Sequence, residues 1–545
     1  ILLIHKAKSM KQIKNISLFL VMFLLMVSCT KKIQELQADP NKPTSVPAGL
    51  ILGAVLTDMA GNGPAGSLGG LNSWNNVHNW NQYFCNNYDY YGNNIYAWTN
   101  GSFDPYLVLK NVVQMEKEAI IKGASSVNPY EAVGRFVRAY YFYNLTSLFG
   151  DVPLTQALLG STNPTPSYTP QKQVFAYVLN QLDTANTHFA TLIANNDQTL
   201  SASQDLFYQG NLSKWQKLVN AFKLRVLIQL SNKTSDASLN VAAQFANIVN
   251  NPSKYPLFTS QADDMAAQYN ATYLQYPFNP SNFGSIAQRN NMADTYVKSL
   301  TSINDPRVFV TCEPAWALVG SDTLQPAKFQ YFVGASTGLP LSIMYGNASA
   351  NLYSFPNRKR YYATFTGEPD VLVGYKEQCF NIAEGIERGW LSGNAESYYK
   401  TGITESMKFY GIDITQPGFT AYFLPPGKTS TTQVTPYAVS FNFTNYYAQS
   451  AVQLSATPAT AIQQIVLQKY IAMFQNSGYE AYYNWRRTGI PAFEGGSGVG
   501  NNGIIPIRWA YPVSEQAQNT ANWKAALQSQ QFSADDLNQK MWLLQ

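Results

Sequence analysis

Apolar residues recur every three or four positions in several long segments of the chain, which is the spacing of helices with one buried face. In residues 104–123, Val108, Val112 and Met115 share such a face, and Pro105 fits the first helical turn. Gly123 and Gly150 each fit the position just past the end of a helix. The same pattern predicts further helices at residues 129–150, 169–193, 212–232, 368–390, 394–412 and 460–475.

The predicted helices come in pairs, and Thr169 is the expected N-cap of the third one. Paired helices of about 34 residues are the unit of tetratricopeptide repeats. We therefore predict a mainly α fold with a scaffold over residues 104–250 and 370–490. Residues 60–103 and 250–370 lack helical periodicity, and we expect long loops there, with one or two short helices in the second segment.

The N-terminal part has the layout of a secretory signal. A basic segment, MKQIKN, precedes the apolar run Ile16–Val27, which is too short to span a bilayer as a helix. A small residue, Ser28, stands directly before Cys29, as in a lipobox. The sequence predicts that residues 1–28 comprise upstream residues and a lipoprotein signal peptide, and that Cys29 is lipidated. An uncleaved signal anchor is the alternative.

Charge and cysteine content exclude several classes of protein. The chain has 37 basic and 32 acidic residues, and four of the lysines precede Cys29, so the remainder is almost neutral. Nucleic-acid binding, which needs a basic surface, is not indicated. Cys85, Cys312 and Cys379 are widely spaced, without the pattern of a disulfide framework or a metal site.

Aromatic residues make up 14% of the chain, including 36 tyrosines and 10 tryptophans, whereas charged residues make up only 13%. Asparagine is also abundant. Aromatic rings stack on the C–H faces of sugars, and amides form hydrogen bonds with sugar hydroxyls. The composition therefore favours a neutral polar ligand.

Several stretches together resemble SusD/RagB-type outer-membrane lipoproteins, in the order expected of that family. The resemblance covers residues 29–545, breaks mainly at residues 250–370, and is greatest to a subgroup with a WRRTG-type motif near its end. The stretches are DPNKPTSVPAGL, LFGDVPLTQAL, TPQKQVFAYVLNQLDTA, DLFYQGNLSKWQKLVNAFKLRV, RGWLSGNAESYYKTGI, QKYIAMFQNSGYEAYYNWRRTGIP and IPIRWAYPVSEQAQN.

The resemblance implies a single domain of tetratricopeptide-like helix pairs that form a superhelical scaffold, with loops building the ligand face. It also implies a lipid-anchored protein on the outer face of the outer membrane. Such proteins capture nutrients, usually glycans, and act as a lid on a SusC-like TonB-dependent transporter. They are not enzymes, and the resemblance implies no cofactor and no metal.

The densest group of candidate ligand contacts lies in residues 72–98. Trp74 and Asn75 are the first choices, because the corresponding early loop borders the ligand face in similar proteins. Packing of these side chains against the helices is the alternative for each of them. The full set of candidates is Trp74, Asn75, Trp80, Tyr83, Tyr88, Tyr90 and, from the second loop-rich segment, Tyr353.

Three charged motifs have a structural interpretation beside a functional one. The basic run Arg358–Arg360 could meet an acidic sugar, but we favour a solvated cluster. We interpret the arginines of NWRRTGIP, residues 484–491, as tying the last helix to the segment IPIRWAYP. Glu384 and Glu387 lie one helical turn apart, whereas a glycosidase needs two carboxyl groups that face each other across the substrate.

The leading functional hypothesis is a lipoprotein that captures an oligosaccharide for a TonB-dependent transporter. A binding protein for peptides or other non-glycan nutrients is the first alternative. A lipid-anchored glycan hydrolase, with a cleft of paired carboxylates, is the second. An assembly or adhesion lipoprotein without a small ligand is the third.

Overall fold

A computed structural model describes residues 45–61 and 72–545 of the protein. The predicted signal segment and the lipidation candidate Cys29 lie outside these residues. Helices dominate the described part, and residues 48–545 form one compact unit. The α-helices are α1 (Ala48–Met59), α2 (Asn76–Trp80), α3 (Pro105–Ile121), α4 (Pro129–Phe149), α5 (Gln171–Ala194), α6 (Leu212–Gln229), α7 (Val241–Asn250), α8 (Phe283–Ile286), α9 (Asp294–Thr301), α10 (Val308–Thr311), α11 (Trp316–Val319), α12 (Leu341–Ser349), α13 (Arg358–Tyr362), α14 (Tyr375–Glu387), α15 (Ala395–Phe409), α16 (Phe443–Tyr447), α17 (Pro458–Ala472), α18 (Glu480–Thr488), α19 (Val513–Gln518) and α20 (Thr520–Ser529).

The long helices form the predicted scaffold. Helices α3 to α6 each pack against the next in chain order, and α6 also packs against α14, which contacts α15 and α17. Packing between neighbours in sequence is typical of helical repeat proteins. The prediction of a mainly α fold built on helix pairs is therefore confirmed.

Helix ends follow the local signals in most places. Pro105 and Pro129 occupy the first turns of α3 and α4, and Gly123 and Gly150 follow their ends with φ angles of +93° and +91°. These φ angles favour glycine, because a Cβ atom is strained there. The prediction of Thr169 as the N-cap of α5 was wrong. Pro170 precedes that helix and Thr169 belongs to a strand.

Short strands connect distant parts of the chain. They are β1 (Phe84–Asn86), β2 (Val152–Pro153), β3 (Tyr168–Thr169), β4 (Met265–Ala267), β5 (Asn290–Met292), β6 (Asp370–Val373), β7 (Gly418–Phe423) and β8 (Thr435–Ser440). Each pairs with one antiparallel partner: β1 with β5, β2 with β3, β4 with β6, and β7 with β8. Strand β6 occupies the start of the predicted helix at residues 368–390.

The second loop-rich segment, residues 250–370, contains more helix than predicted. It holds the short helices α8 to α13, where the sequence pattern indicated one or two. These helices have four to nine residues, too few for an apolar stripe to repeat along the sequence. Cys85, Cys312 and Cys379 are free and buried in the structure.

Candidate ligand-binding site

The pairing of β1 with β5 brings the two loop-rich segments together. Asn86 at the end of β1 lies opposite Asn290 at the start of β5. The chain leaves β1 toward Tyr88 and enters β5 from Arg289, so these two side chains become neighbours. The guanidinium carbon of Arg289 lies 4.7 Å from the ring centroid of Tyr88 and 5.3 Å from that of Tyr91.

A groove of about 510 Å³ opens on one side of Tyr88 and Arg289. This volume is within the range of small-ligand sites. Its lining comes from five separate parts of the chain. The residues are Asn87, Tyr88, Gly284, Gln288, Arg289, Glu313, Trp316, Tyr345, Ala348, Ser349, Asn351, Phe355, Arg358, Leu424, Pro425, Pro426, Gly427 and Lys428.

Three accessible aromatic side chains contribute to the apolar surface of the groove. Tyr88 and Trp316 are half-buried, and Tyr345 keeps 43% of its surface exposed. Tyr345 meets Tyr88 edge-on, with the ring centroids 6.2 Å apart. Rings that are held in place but remain open to solvent are what stacking on a sugar requires.

The buried polar lining combines one carboxylate with one guanidinium. The backbone N–H groups of Arg358 and Leu424 each donate to one oxygen of Glu313, both at 2.8 Å. Burial raises the pKa of Glu313 to about 7, against the opposing effect of these hydrogen bonds and of the Arg358 charge. Burial also lowers the pKa of Arg358 from its ordinary value.

A second cavity of about 480 Å³ adjoins the same two residues. Tyr88 and Arg289 line both spaces. The remaining lining is rich in amides, with Asn76, Asn79, Asn86, Asn93 and Asn290, and includes Trp80, Tyr91, Gly92, Ile95, Ala97 and Ile286.

Two aromatic candidates, Trp74 and Tyr83, belong to the main hydrophobic core. Trp74 is only 8% exposed, and its ring packs against Phe278, with 4.5 Å between the ring centroids. Its indole N–H donates to the hydroxyl of Tyr276 at 2.8 Å. Tyr83 is fully buried and donates to the Tyr470 carbonyl at 2.8 Å. In this structure both rings pack against neighbouring core side chains, which is the alternative to ligand contact, and neither lines the groove or the second cavity.

The other candidates have mixed positions. Asn75 caps α2 by accepting the backbone N–H of Asn76 at 2.9 Å, which is a structural role. Tyr353 is buried, and its hydroxyl accepts a hydrogen bond from Asn347 at 2.8 Å. Tyr90 is 87% exposed but lines neither space.

Two candidates do reach the spaces just described. Trp80 is buried and presents only part of its surface to the second cavity. Tyr88 lines both the groove and the second cavity. Of the seven candidate contacts, Tyr88 is therefore the best placed, because its half-buried ring lines both spaces.

Sequence reasoning missed Trp316, Tyr345 and Arg289. They lie in residues 250–370, where the family motifs are absent and where tertiary contacts such as the β1–β5 pairing bring them toward Tyr88. The tryptophan in EPAWALVG, a short apolar stretch without helical or strand periodicity, was the one available signal for Trp316.

The basic run is not the solvated cluster that we favoured. Lys359 is exposed, but Arg358 is buried, and Arg360 forms an ion pair with Glu368 at 2.6 Å. In contrast, the structural interpretation of the NWRRTGIP arginines agrees with their contacts. Arg486 donates to the carbonyl of Ile507 at 2.8 Å, within the segment IPIRWAYP.

Residues 40–512 match the model of the SusD-like 2 family, described as starch-binding associating with outer membrane. The chain belongs to this SusD-like family. The family is one of nutrient-binding proteins associated with the outer membrane. Among the described residues of this SusD-like chain, no helix combines the length and the apolar character needed to cross a membrane.

Solved structures of SusD homologues share the fold. One from Bacteroides fragilis is 27% identical, with a TM-score of 0.76, and the match covers 92% of this chain and 100% of that one. A second from the same species is 28% identical, with a TM-score of 0.74 and the same coverage. A chitin-binding SusD homologue from Flavobacterium johnsoniae is 18% identical over 91% of this chain and 98% of its own, with a TM-score of 0.66. No curated protein matches the chain.

Proposed function

We propose that this SusD-like protein captures an oligosaccharide in the groove beside Tyr88 and delivers it to a SusC-like TonB-dependent transporter. In this proposal Cys29 carries the lipid anchor and the groove faces the outside of the cell. The observation that carries the proposal is the set of three accessible rings, Tyr88, Trp316 and Tyr345, around one groove.

The chemistry of the groove supports binding of a sugar. Its rings offer apolar faces, while Asn351, Gln288 and Ser349 offer hydrogen-bonding groups beside them. A sugar likewise presents apolar C–H faces beside hydroxyl groups, so it matches both kinds of surface. The chitin-binding homologue shows that a protein of the same fold can bind a glycan.

Capture explains the groove better than hydrolysis does. Among the described residues that line it, Glu313 is the one carboxylate. Both of its oxygens already accept backbone N–H groups. Canonical glycoside hydrolysis uses two carboxyl groups, about 5–10 Å apart, on either side of the bond to be cleaved.

The test is a binding screen with the full chain purified in mild detergent. Tryptophan fluorescence and calorimetry would be measured against neutral and acidic oligosaccharides, polysaccharides and peptides. We expect saturable binding of one glycan class without any product. Binding of peptides alone would overturn glycan capture in favour of the non-glycan alternative, and appearance of a cleaved product would favour a hydrolase.

Two variants locate the site. Trp316→Ala and Tyr345→Ala should each weaken binding about ten-fold, because one ring contributes roughly 1–2 kcal/mol when it is desolvated by a ligand. Tyr273→Ala is the matched control, since Tyr273 is 88% exposed and lines neither cavity. Equal affinities for all three variants would place the ligand elsewhere.

A further inference from the structure

Arg358 lies in the lining of the groove and is only 6% exposed. Its guanidinium lies over two rings, with its central carbon 4.8 Å from the centroid of Phe355 and 5.7 Å from that of Tyr362. Stacking of this kind holds the plane of the group but leaves the N–H groups at its edge free to donate.

Those donors lack a charged acceptor within the described protein. Nη1 of Arg358 is buried without a hydrogen-bond partner, and no acidic side chain in residues 72–545 forms an ion pair with this guanidinium. The side chain that interacts with the guanidinium as a hydrogen-bonding group is the uncharged hydroxyl of Tyr362. A buried charge without a charged acceptor costs free energy that a bound anion would recover.

Glu313 does not neutralise this charge directly. Its two oxygens are used by the backbone N–H groups of Arg358 and Leu424, and its carboxylate is more than an ion-pair distance from the guanidinium. Burial raises the pKa of Glu313 to about 7, against the opposing effect of the Arg358 charge.

The other arginines show how unusual this arrangement is. In the described part of the chain, Arg486 donates to backbone carbonyls, and only Arg289 and Arg358 have neither an acidic partner nor a carbonyl partner. Both line the groove, together with the exposed Lys428. The arginines that do form ion pairs are Arg135, Arg138, Arg225, Arg307, Arg360, Arg388, Arg487 and Arg508.

We propose that the groove selects an acidic glycan, whose carboxylate or sulfate is held by the buried Arg358 and the half-buried Arg289. A guanidinium can donate two parallel hydrogen bonds to either group. The aromatic rings then contact the sugar that carries the acid. This inference rests on the proposed capture of a glycan and narrows it to a charged class.

The first measurement compares acidic polysaccharides with matched neutral or less charged forms, using the full chain. Polygalacturonate, alginate and hyaluronan would be paired with their carboxyl-reduced products, and chondroitin sulfate with its desulfated form. We expect at least one acidic member to bind about ten- to a hundred-fold more tightly than its partner, as charge-assisted hydrogen bonds require. The polysaccharide pair that shows this difference in affinity identifies the recognised group as a carboxylate or a sulfate.

The second measurement assigns the discrimination to the arginines. The preference is the ratio of the affinities for the acidic polysaccharide and its neutral partner. Arg358→Met and Arg289→Met should each reduce this ratio about ten-fold or more. Lys359→Met is the matched control, because Lys359 is the exposed cation next to Arg358 and does not line the groove. Melting temperatures would verify folding. If Arg358→Met fails to fold, the affinities of Arg289→Met, in which a half-buried residue is changed, test the assignment.

The outcomes separate this inference from the proposed function. Equal binding of acidic and neutral partners, or a preference that survives both arginine variants, would overturn the acidic class but leave glycan capture intact. Binding of peptides that depends on their free terminal carboxylate, without binding of any glycan, would overturn both. Absence of binding to every acidic probe would also overturn the acidic class.

Discussion

Arg487 donates from both terminal nitrogens to the carboxylate of Glu384, which lies 103 residues earlier in the chain. This contact joins α18 to α14, and both side chains are almost completely buried. Burial alone would raise the pKa of Glu384, but the charges of Arg487 and Arg388 outweigh it and lower the pKa to about 2. The pair thus fixes the NWRRTGIP segment to the helical scaffold.

We expect Glu384→Gln to lower the free energy of unfolding at pH 7 by about 3 kcal/mol. The pKa difference between the folded protein and the ordinary value of 4.5 corresponds to roughly this amount, and the change leaves a buried guanidinium unpaired. Urea unfolding measures it. Glu387→Gln is the control, since it makes the same change one helical turn away, where the structure shows no ion pair for Glu387 within residues 72–545.

The same pair predicts a dependence on pH. Because the pKa of Glu384 is lower in the folded state, its contribution is complete above about pH 4.5 and is lost as the pH falls toward 2. The difference in unfolding free energy between the unchanged protein and Glu384→Gln should therefore shrink over this interval. A constant difference would show that the ion pair is not its cause.

Trp74→Ala should destabilise the protein by about 3–5 kcal/mol, the usual cost of removing a large buried ring. The substitution removes a ring that packs on Phe278 and an indole N–H that donates to the hydroxyl of Tyr276. Tyr90→Ala, at an exposed aromatic of the same segment, should change the unfolding free energy by no more than about 0.5 kcal/mol. Full stability of Trp74→Ala with weakened ligand binding would instead support a direct contact by Trp74.

Gly92→Ala should weaken ligand binding through the position of Tyr88. A Cβ atom at Gly92 would lie 2.4 Å from the Tyr88 carbonyl oxygen, so the loop has to shift. Gly346→Ala is the matched control beside Tyr345, because a Cβ atom there meets nothing within 4 Å among the described residues. We expect about a ten-fold loss of affinity for Gly92→Ala and none for Gly346→Ala, measured by calorimetry.

Cys29→Ala should release the protein from the membrane fraction. Each buried methylene of an acyl chain contributes about 0.8 kcal/mol, and the short apolar run before Cys29 cannot replace two or more chains. Fractionation followed by immunoblotting measures the distribution. Retention of the variant in the membrane would support the uncleaved signal anchor.

The scaffold could be predicted from sequence because its helices are long. Stripes such as Val174, Val178 and Leu182 repeat over several turns and are all buried. The short helices of residues 250–370 and the β7–β8 hairpin could not be predicted in this way. Their positions depend on tertiary contacts rather than on a repeating local pattern.

The candidate site was harder to predict than the fold. Local composition identified an aromatic segment, but it could not distinguish Trp74, which packs in the core, from Tyr88, which lines the groove. That distinction depends on the pairing of Asn86 with Asn290, about 200 positions apart. The burial of Arg358 could not be predicted from the sequence either, because a run of three basic residues normally indicates a solvated surface.

Tyr88 and Arg289 line two spaces of similar size. A ligand in one space that changed the position of these two side chains would also change the lining of the other. The free energy of filling either cavity would then depend on whether the other is filled, which is a thermodynamic coupling. Two short ligands would influence each other's affinity through these side chains without any direct contact between them.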